Sequence, residues 1–305
     1  MYDLIGDIHG HADELVQLLH VLGYENHHGI YRHPERKVIF LGDFIDRGAQ
    51  IRQVLEIVRP MVESGSALAV MGNHELNALA YHTEDPDAPG EYLRRHTPNN
   101  YQQHRVTMEQ LSPAELASYL TWFRTLPIWL EFDGLRAVHA CWDEQSMALI
   151  EPFVRPSGPL TNDFLHSACK REGELFDPVE IVLKGKEAAL PKGFFFRDRY
   201  GQIRANMRVR WYLAPDHHTY QSYALSDDIQ CNMPIDGALR ETASPYPRDA
   251  KPVFVGHYWL SADRPRVLAD NVACLDFSVA QGGFLCAYRW QGEQKLNDAH
   301  FVWTR

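Results

Sequence analysis

The sequence predicts an α/β fold of the α+β sandwich kind, two mixed β-sheets flanked by helices, and three observations predict it. Short apolar runs at 2–6, 37–42 and 67–72 have the length of buried strands and run into glycine. The segments between them, 13–22 and 51–62, space their apolar residues as helices do: Leu15, Leu18, Leu19 and Leu22 in one, Ile51, Val54, Leu55, Val58 and Val62 in the other. A further set of apolar runs returns at 252–256, 272–277, 284–290 and 300–303.

Strands alternating with helices across short connections make a parallel sheet wrapped by helices, with its ligand site at the strand carboxyl ends. Gly23 ends the first helix. Residues 83–113, broken by Pro86, Pro89, Gly90, Pro98 and Pro113, read as an irregular or partly helical excursion on one rim. Ser112 is placed to cap a helix over 113–125. Residues 131–132 and 135–140 suit a hairpin around Asp133-Gly134. Residues 150–250 carry weak periodicity and read as an insertion or cap, with a helix over 161–174 and strands over 194–199 and 202–211. The late runs, joined by short polar turns, suggest an antiparallel second sheet. No internal repeat divides the chain, and 1–305 is expected to be one domain.

The 305 residues, 45% of them hydrophobic, are enough for one large core. A formal net charge of −10 argues against a nucleic-acid backbone or an anionic membrane as main partner. No apolar run approaches the ~18–20 residues that span a bilayer, and no signal-type stretch opens the sequence. Five cysteines, an odd number without a CxxC pair, suit reduced thiols in a cytoplasmic protein.

The strand ends carry the chemistry. Gly6-Asp7-Ile8-His9-Gly10, Gly42-Asp43-Phe44-Ile45-Asp46-Arg47-Gly48 and Gly72-Asn73-His74-Glu75 follow the first three strands; His139 ends the hairpin and His257 follows the run at 252–256. Alone, each piece is a turn or a core histidine. Together, Asp7, His9, Asp43, Asn73, His139 and His257 are six metal-seeking side chains at strand ends, with His74 a spare base. Oxygen and nitrogen donors without thiolate suit Mn, Fe, Zn or Ni, with Mn2+ the first choice. Six ligands are too many for one catalytic ion that also holds water, so two divalent ions sharing a carboxylate are expected.

The ordered set GDxHG, GDxxDRG, GNHE, a strand-end His and a late GH resembles the calcineurin-like metallophosphoesterases, and within them the branch of PPP-type Ser/Thr protein phosphatases and symmetrical diadenosine tetraphosphatases. The resemblance covers 6–75 well and leaves 83–113 and 150–250 untouched. It implies that Asp7, His9 and Asp43 hold one metal and that Asp43, Asn73, His139 and His257 hold the other. It implies that a metal-bridging hydroxide attacks phosphorus. It further implies that His74 protonates the leaving oxygen, Asp46 orients His74, and Arg47 holds the phosphoryl oxygens.

The chain departs from that pattern in two places: Ala140-Cys141 follows His139, and Tyr258-Trp259 follows His257. Cys274-Leu275-Asp276-Phe277 with Gly282-Gly283 resembles the family's C-terminal strand pair, where Asp276 supports either the ligands or a turn. For a second phosphate-binding arginine, Arg204, Arg208 and Arg210 would share one face of a strand, and Arg210 is the choice. His11, His27, His28, His217 and His218 read as helix-start or surface residues; His96 and His104 lie on the rim, where Tyr92, Arg94, Arg95, Tyr101 and Arg105 suit a nucleotide or an ordinary polar surface. The expected function is phosphate-ester hydrolysis, as a Ser/Thr-type protein phosphatase or small phosphomonoesterase. The alternatives are a symmetrical bis(5'-nucleosyl)-tetraphosphatase, a catalytically weak metal-stabilised regulatory protein and, least favoured by charge, a nuclease.

Overall fold

The computed structural model describes residues 1–154, 158–197, 201–226 and 228–304. β1 (Tyr2–Ile5) leads into α1 (Ala12–Val21), a small hairpin of β2 (Glu25–His27) and β3 (Ile30–Arg32), then β4 (Lys37–Phe40), α2 (Ile51–Glu63) and β5 (Ala67–Ala69). β1, β4 and β5 are parallel neighbours, as the strand–helix alternation requires. Three helices follow, α3 (Asn73–Tyr81), α4 (Pro98–Gln110) and α5 (Pro113–Phe123), then the antiparallel pair β6 (Trp129–Glu131) and β7 (Arg136–Val138). Ser112 does cap α5, and Glu115 reaches back to the Ser112 amide at 2.8 Å.

The stretch from 150 to 250 holds the end of α6 (Glu144–Val154), α7 (Asn162–Cys169), α8 (Phe176–Lys184), then β8 (Glu187–Ala189), β9 (Phe196–Arg197), β10 (Ile203–Arg204) and β11 (Asn206–Arg208), with α9 (Tyr220–Tyr223) and α10 (Gly237–Thr242). Of the strands expected over 194–199 and 202–211, residues 198–200 lie outside the described residues. The second strand is broken at Ala205: β10 pairs with β9, while β11 pairs with β8. Arg204 and Arg208 therefore belong to different sheets, and the common face expected for Arg204, Arg208 and Arg210 does not form. The buried residues of this stretch, among them Leu165, Val182, Met207 and Trp211, join the same apolar cluster as α1 and α2.

The chain ends in β12 (Val253–Val255), β13 (Val272–Cys274), β14 (Asp276–Phe277), β15 (Phe284–Trp290) and β16 (Phe301–Thr304). These do not form one antiparallel sheet. β12 and β13 are parallel and join β7 and β6 in the order β13-β12-β7-β6; β14, β15 and β16 join the first sheet, ordered β14-β15-β1-β4-β5 with β16 on β15. β15 runs antiparallel beside β1 at its centre, where both its faces are buried. A period of two says which faces are apolar but not which strand lies alongside.

The alternation divides each strand between two cores. Leu4, Ile39, Phe254, Cys286 and Tyr288 point into the layer between the sheets, while Ile5, Val38, Phe40, Val255 and Ala287 point to the helices. This is a sandwich with helices outside. A buried carboxylate lies on the helix-facing side of β1. Asp3 is fully buried on β1 and accepts from Tyr24 Oη (3.1 Å), Arg36 Nε (3.0 Å) and Arg289 Nε (3.0 Å). Asp3→Ala would strand two guanidiniums. It is expected to lower stability by about 3–5 kcal/mol in urea unfolding; a loss under about 1 kcal/mol would show the cluster to be no more than a surface ion pair. Among the described residues no helix is long and apolar enough to cross a membrane.

Candidate metal centre

Three loops at the carboxyl ends of β1, β4 and β5 are laced by backbone before any side chain acts. Ile8 and His9 amides donate to the Asp43 carbonyl at 3.1 and 2.9 Å, and the Gly48 amide donates to the His9 carbonyl at 2.9 Å. Glu75, the third residue of α3, is fully buried and accepts from the amides of Gly72 (3.0 Å), Asp43 (2.8 Å) and Phe44 (2.9 Å), tying the second loop to the third. The fourth and fifth loops close over these. His139 Nδ1 donates to the Leu41 carbonyl at 2.6 Å, and the His257 amide to the Asp7 carboxylate at 3.1 Å. Gly256 is required there, because a Cβ would strike Asp7 Oδ1.

The backbone is held in a rare conformation. His9, Asp43, Asp46, Arg47, His257 and Trp259 have φ between 45° and 70°, and they are six of the nine non-glycine residues with positive φ among the described residues. Each such residue is disfavoured, and their gathering at one spot marks a functional site.

All six predicted ligands meet. His9 Nε2 lies 3.4 Å from Asp43 Oδ2 and His139 Nε2 3.4 Å from Asp43 Oδ1; Asn73 Oδ1 lies 3.1 Å from His139 Nε2 and 2.7 Å from His257 Nδ1. Two ligand groups emerge, His9–Asp43–His74 and Asp43–His139–His257, with the donor atoms of each within 4.8 Å of one another and Asp43 common to both. Asp7 is buried beside them, pushed well above the usual carboxylate range by burial, Asp276 and Asp43.

The residues fit divalent cations. His9 Nδ1 is committed to the Ile45 carbonyl (2.8 Å), so its Nε2 lone pair faces inward, buried and without a hydrogen-bond partner. Burial also pushes His9 down to about 3, keeping it a neutral donor. With the His139 Nδ1 proton given to Leu41, Nε2 faces two acceptors, an arrangement that needs a proton or a cation between them. Without a cation, burial opposes protonation but Asp43 outweighs it, and His139 rises to about 10. Asp43 itself would be raised by burial; His139 and His74 outweigh that and hold it well below the ordinary range. A third group, Asp85, Asp87 and His166 on the rim, is already ion-paired with Lys170, 3.1 and 2.7 Å from the two carboxylates.

Beside the ligands stand the remaining predicted residues. His74 Nδ1 meets Asp46 Oδ2 at 2.5 Å, and its Nε2 lies 3.4 Å from Arg47 Nη2. The Arg47 guanidinium sits 4.0 Å over the Trp259 ring, and the Trp259 amide is held by Asp276 Oδ2 at 2.7 Å. Asp276 thus fixes the turn that carries His257 and Trp259. Arg210 is engaged elsewhere, with Nε on the Ala224 carbonyl at 2.9 Å and Nη1 at 3.4 Å from Tyr212 Oη. Arg208 is the arginine of that segment whose charge reaches the site: after burial it is the largest influence lowering His257. Cys141 is fully buried, its thiol pushed up by burial, and acts as a packed small residue.

Sequence reasoning missed three contributors. Glu75 was hidden inside a motif, with nothing to mark it as a backbone clasp. Thr107 and His104 hydrogen bond to Asp46, yet they sit on α4, a helix whose buried residues are polar. Apolar periodicity is silent there. Of the other rim residues, Arg95 and Tyr101 are exposed, His96 stacks between Tyr81 (3.9 Å) and Tyr92 (4.1 Å), and Arg94 donates to Asn77 and Gln103.

Known proteins share parts of this arrangement. The chain is 52% identical over 73 residues to bis(5'-nucleosyl)-tetraphosphatase PrpE [asymmetrical] of Geobacillus sp. (strain WCH70), covering 24% of this chain and 30% of that protein. It is 35% identical over 125 residues to the protein of the same name from Bacillus thuringiensis (strain Al Hakam), covering 37% and 50%. Against the first curated relatives the match thus spans about a third of their length. A solved protein serine/threonine phosphatase from Saccharomyces cerevisiae, with similarity to human phosphatase PP5, covers 99% of this chain and 78% of its own at 13% identity and a TM-score of 0.53, which speaks to the fold alone. The family model described as calcineurin-like phosphoesterase matches residues 2–183, more than half of the chain and four of its five site loops. The sandwich, the laced loops and that match agree, and the chain belongs to the calcineurin-like phosphoesterase family.

Proposed function

We propose that the protein is a metal-dependent phosphoesterase that uses two divalent ions, Mn2+ the first choice and Fe, Zn or Ni the others, held by Asp7, His9, Asp43, Asn73, His139 and His257. The observation that carries this reading is the sharing of Asp43 by two ligand groups, with His74, Asp46 and Arg47 alongside. When bound, such ions supply Lewis-acid stabilisation of phosphoryl oxygens and acidify a water. The chain's own residues do the rest. Arg47 offers a planar fork to the phosphoryl oxygens, held in place by the Trp259 ring. His74 gives a proton from Nε2 to the leaving oxygen, while Asp46 keeps the Nδ1 proton in place and stabilises the imidazolium.

The first substrate reading is a phosphomonoester, on a protein or a small molecule. The second is a dinucleoside tetraphosphate, favoured by the names of the relatives that share the early loops. Those names specify asymmetrical cleavage, whereas the motifs suggested the symmetrical enzymes. Phosphopeptides, diadenosine tetraphosphate and p-nitrophenyl phosphate compared by kcat/KM on the Mn2+-loaded protein test the choice. ATP plus AMP as products would favour the relatives' reaction, two ADP the symmetrical one. No metal-dependent turnover of any member would sink the enzyme reading and favour a regulatory role.

Trp259→Ala should raise KM for p-nitrophenyl phosphate more than it lowers kcat. The cation–π contact is worth roughly 1–2 kcal/mol when partly desolvated, about 5–30-fold, and Trp259→Phe should keep most of it. Equal loss in both variants would show that the ring does not hold Arg47.

A further inference from the structure

Asp46 is more than the partner of His74. Its Oδ2 takes the His74 Nδ1 proton, but its Oδ1 takes two further donors, His104 Nδ1 at 2.9 Å and Thr107 Oγ1 at 2.6 Å. Thr107 Oγ1 in turn accepts the Asp46 backbone amide at 3.0 Å. The carboxylate and the left-handed backbone of Asp46 are therefore gripped together. Both partners are buried, His104 at 5% and Thr107 at 0% exposure. They lie one turn apart on α4, and a third residue another turn on extends the grip: Gln110 accepts from the Ile51 amide (2.7 Å) and donates to the Gly48 carbonyl (2.9 Å).

The hydrogen-bond network also assigns the protons. Asp46 accepts only, so His74 and His104 each carry a proton on Nδ1. His104 Nε2 in turn lies 3.2 Å from His82 Nε2, so one proton is shared between these two nitrogens. Burial lowers His82 to about 4 and keeps it neutral. The His104 and His74 protons thus converge on the two oxygens of Asp46 from opposite sides, and Asp46 remains a carboxylate: burial would raise it, but the hydrogen bonds from His104 and His74 outweigh burial and lower it. Arg94 is a cation whose field reaches Asp46, and it is fixed to Asn77 and Gln103.

We propose that His104, with Thr107, is a positioning residue for proton donation: α4 holds Asp46 in the one orientation that keeps the His74 Nδ1 proton engaged and aims His74 Nε2 at the leaving oxygen. This rests on the phosphoesterase reading. It also explains why a helix with so little apolar surface packs against the site. Groups that orient a reacting residue through one intermediate typically change rates about 10–100-fold when removed.

The test is the dependence of kcat/KM on the leaving group, measured with the Mn2+-loaded chain on 2,4-dinitrophenyl, p-nitrophenyl and phenyl phosphate. Only a poor leaving group needs the proton. His104→Ala should lose about 10–100-fold on phenyl phosphate and far less on the dinitrophenyl ester. His104→Asn, whose amide nitrogen can stand where Nδ1 stood, should recover most of the loss. A uniform loss on all three esters, or none, would overturn the proposal. Should the alanine variant fail to fold, His104→Asn and His104→Gln carry the same comparison, since glutamine places its nitrogen nearer the Nε2 position and should not rescue. A second measurement stands apart from turnover. The short His74–Asp46 hydrogen bond should give a low-field proton resonance that shifts in His104→Ala and returns in His104→Asn; an unmoved resonance overturns the proposal. If the wild-type chain turns over none of the esters, the phosphoesterase reading fails instead, and the resonance alone decides the role of His104.

Discussion

Asp43→Asn should lower turnover of p-nitrophenyl phosphate by about 10³-fold, since losing a bridging carboxylate removes several kcal/mol of charge stabilisation at a factor of ten per 1.36 kcal/mol. Asparagine keeps the oxygen that accepts the His74 amide at 2.9 Å, and the backbone clasp from Glu75 does not involve the side chain. The fold should therefore survive, and metal content can be read on the same sample. Mn2+ bound per chain after gel filtration should fall from two ions to one or none. A variant that keeps both ions and the full rate would show that Asp43 bridges nothing.

His74→Asn should cost a similar amount by a different route. General acid catalysis contributes about 10²–10⁴-fold, and His74 is the imidazole whose Nε2 stands beside the Arg47 guanidinium. The loss should be large for phenyl phosphate and small for the 2,4-dinitrophenyl ester, with metal content unchanged. Equal loss on both esters would assign His74 to phosphate binding or to metal support, which its place in the His9–Asp43–His74 group also permits.

The part of the site that could be read from the chain is the part built at strand ends. An apolar run that stops at glycine and then offers Asp, Asn or His announces itself, and Asp7, His9, Asp43, Asn73, His139 and His257 are brought together from five such places. What could not be read is whatever holds those residues still. Glu75 works through backbone amides that any residue supplies. Asp276 was legible as a support for the ligands or a turn, but not that it holds the Trp259 amide, because its strand's position in the first sheet is set by β15. His104 and Thr107 sit on a helix that buries hydrogen bonds rather than methyl groups, so the pattern that reveals α1 and α2 does not reveal α4. The late strands show the same limit: their apolar faces were visible, but β15 reached the centre of the first sheet because both its faces are buried, a property of the assembled layers. The face expected to be shared by Arg204, Arg208 and Arg210 fails for a related reason: it presumes one unbroken strand, whereas β10 ends at Arg204 and β11 ends at Arg208, before Arg210.

The six left-handed residues of the site bear on what evolution or a designer could put there. Side chains other than glycine enter that region at roughly 1–2 kcal/mol each, and Asp, Asn and His do so more readily than branched or bulky types. His9, Asp43, Asp46 and His257 are of the tolerant kinds; Arg47 and Trp259 are not, and they are the pair stacked on each other at 4.0 Å. A threonine or valine at the first four would meet a torsional barrier before any question of affinity arose. Of the six proposed donors, His9, Asp43 and His257 are thus constrained twice, once by the ions they would suit and once by the handedness of the chain that presents them.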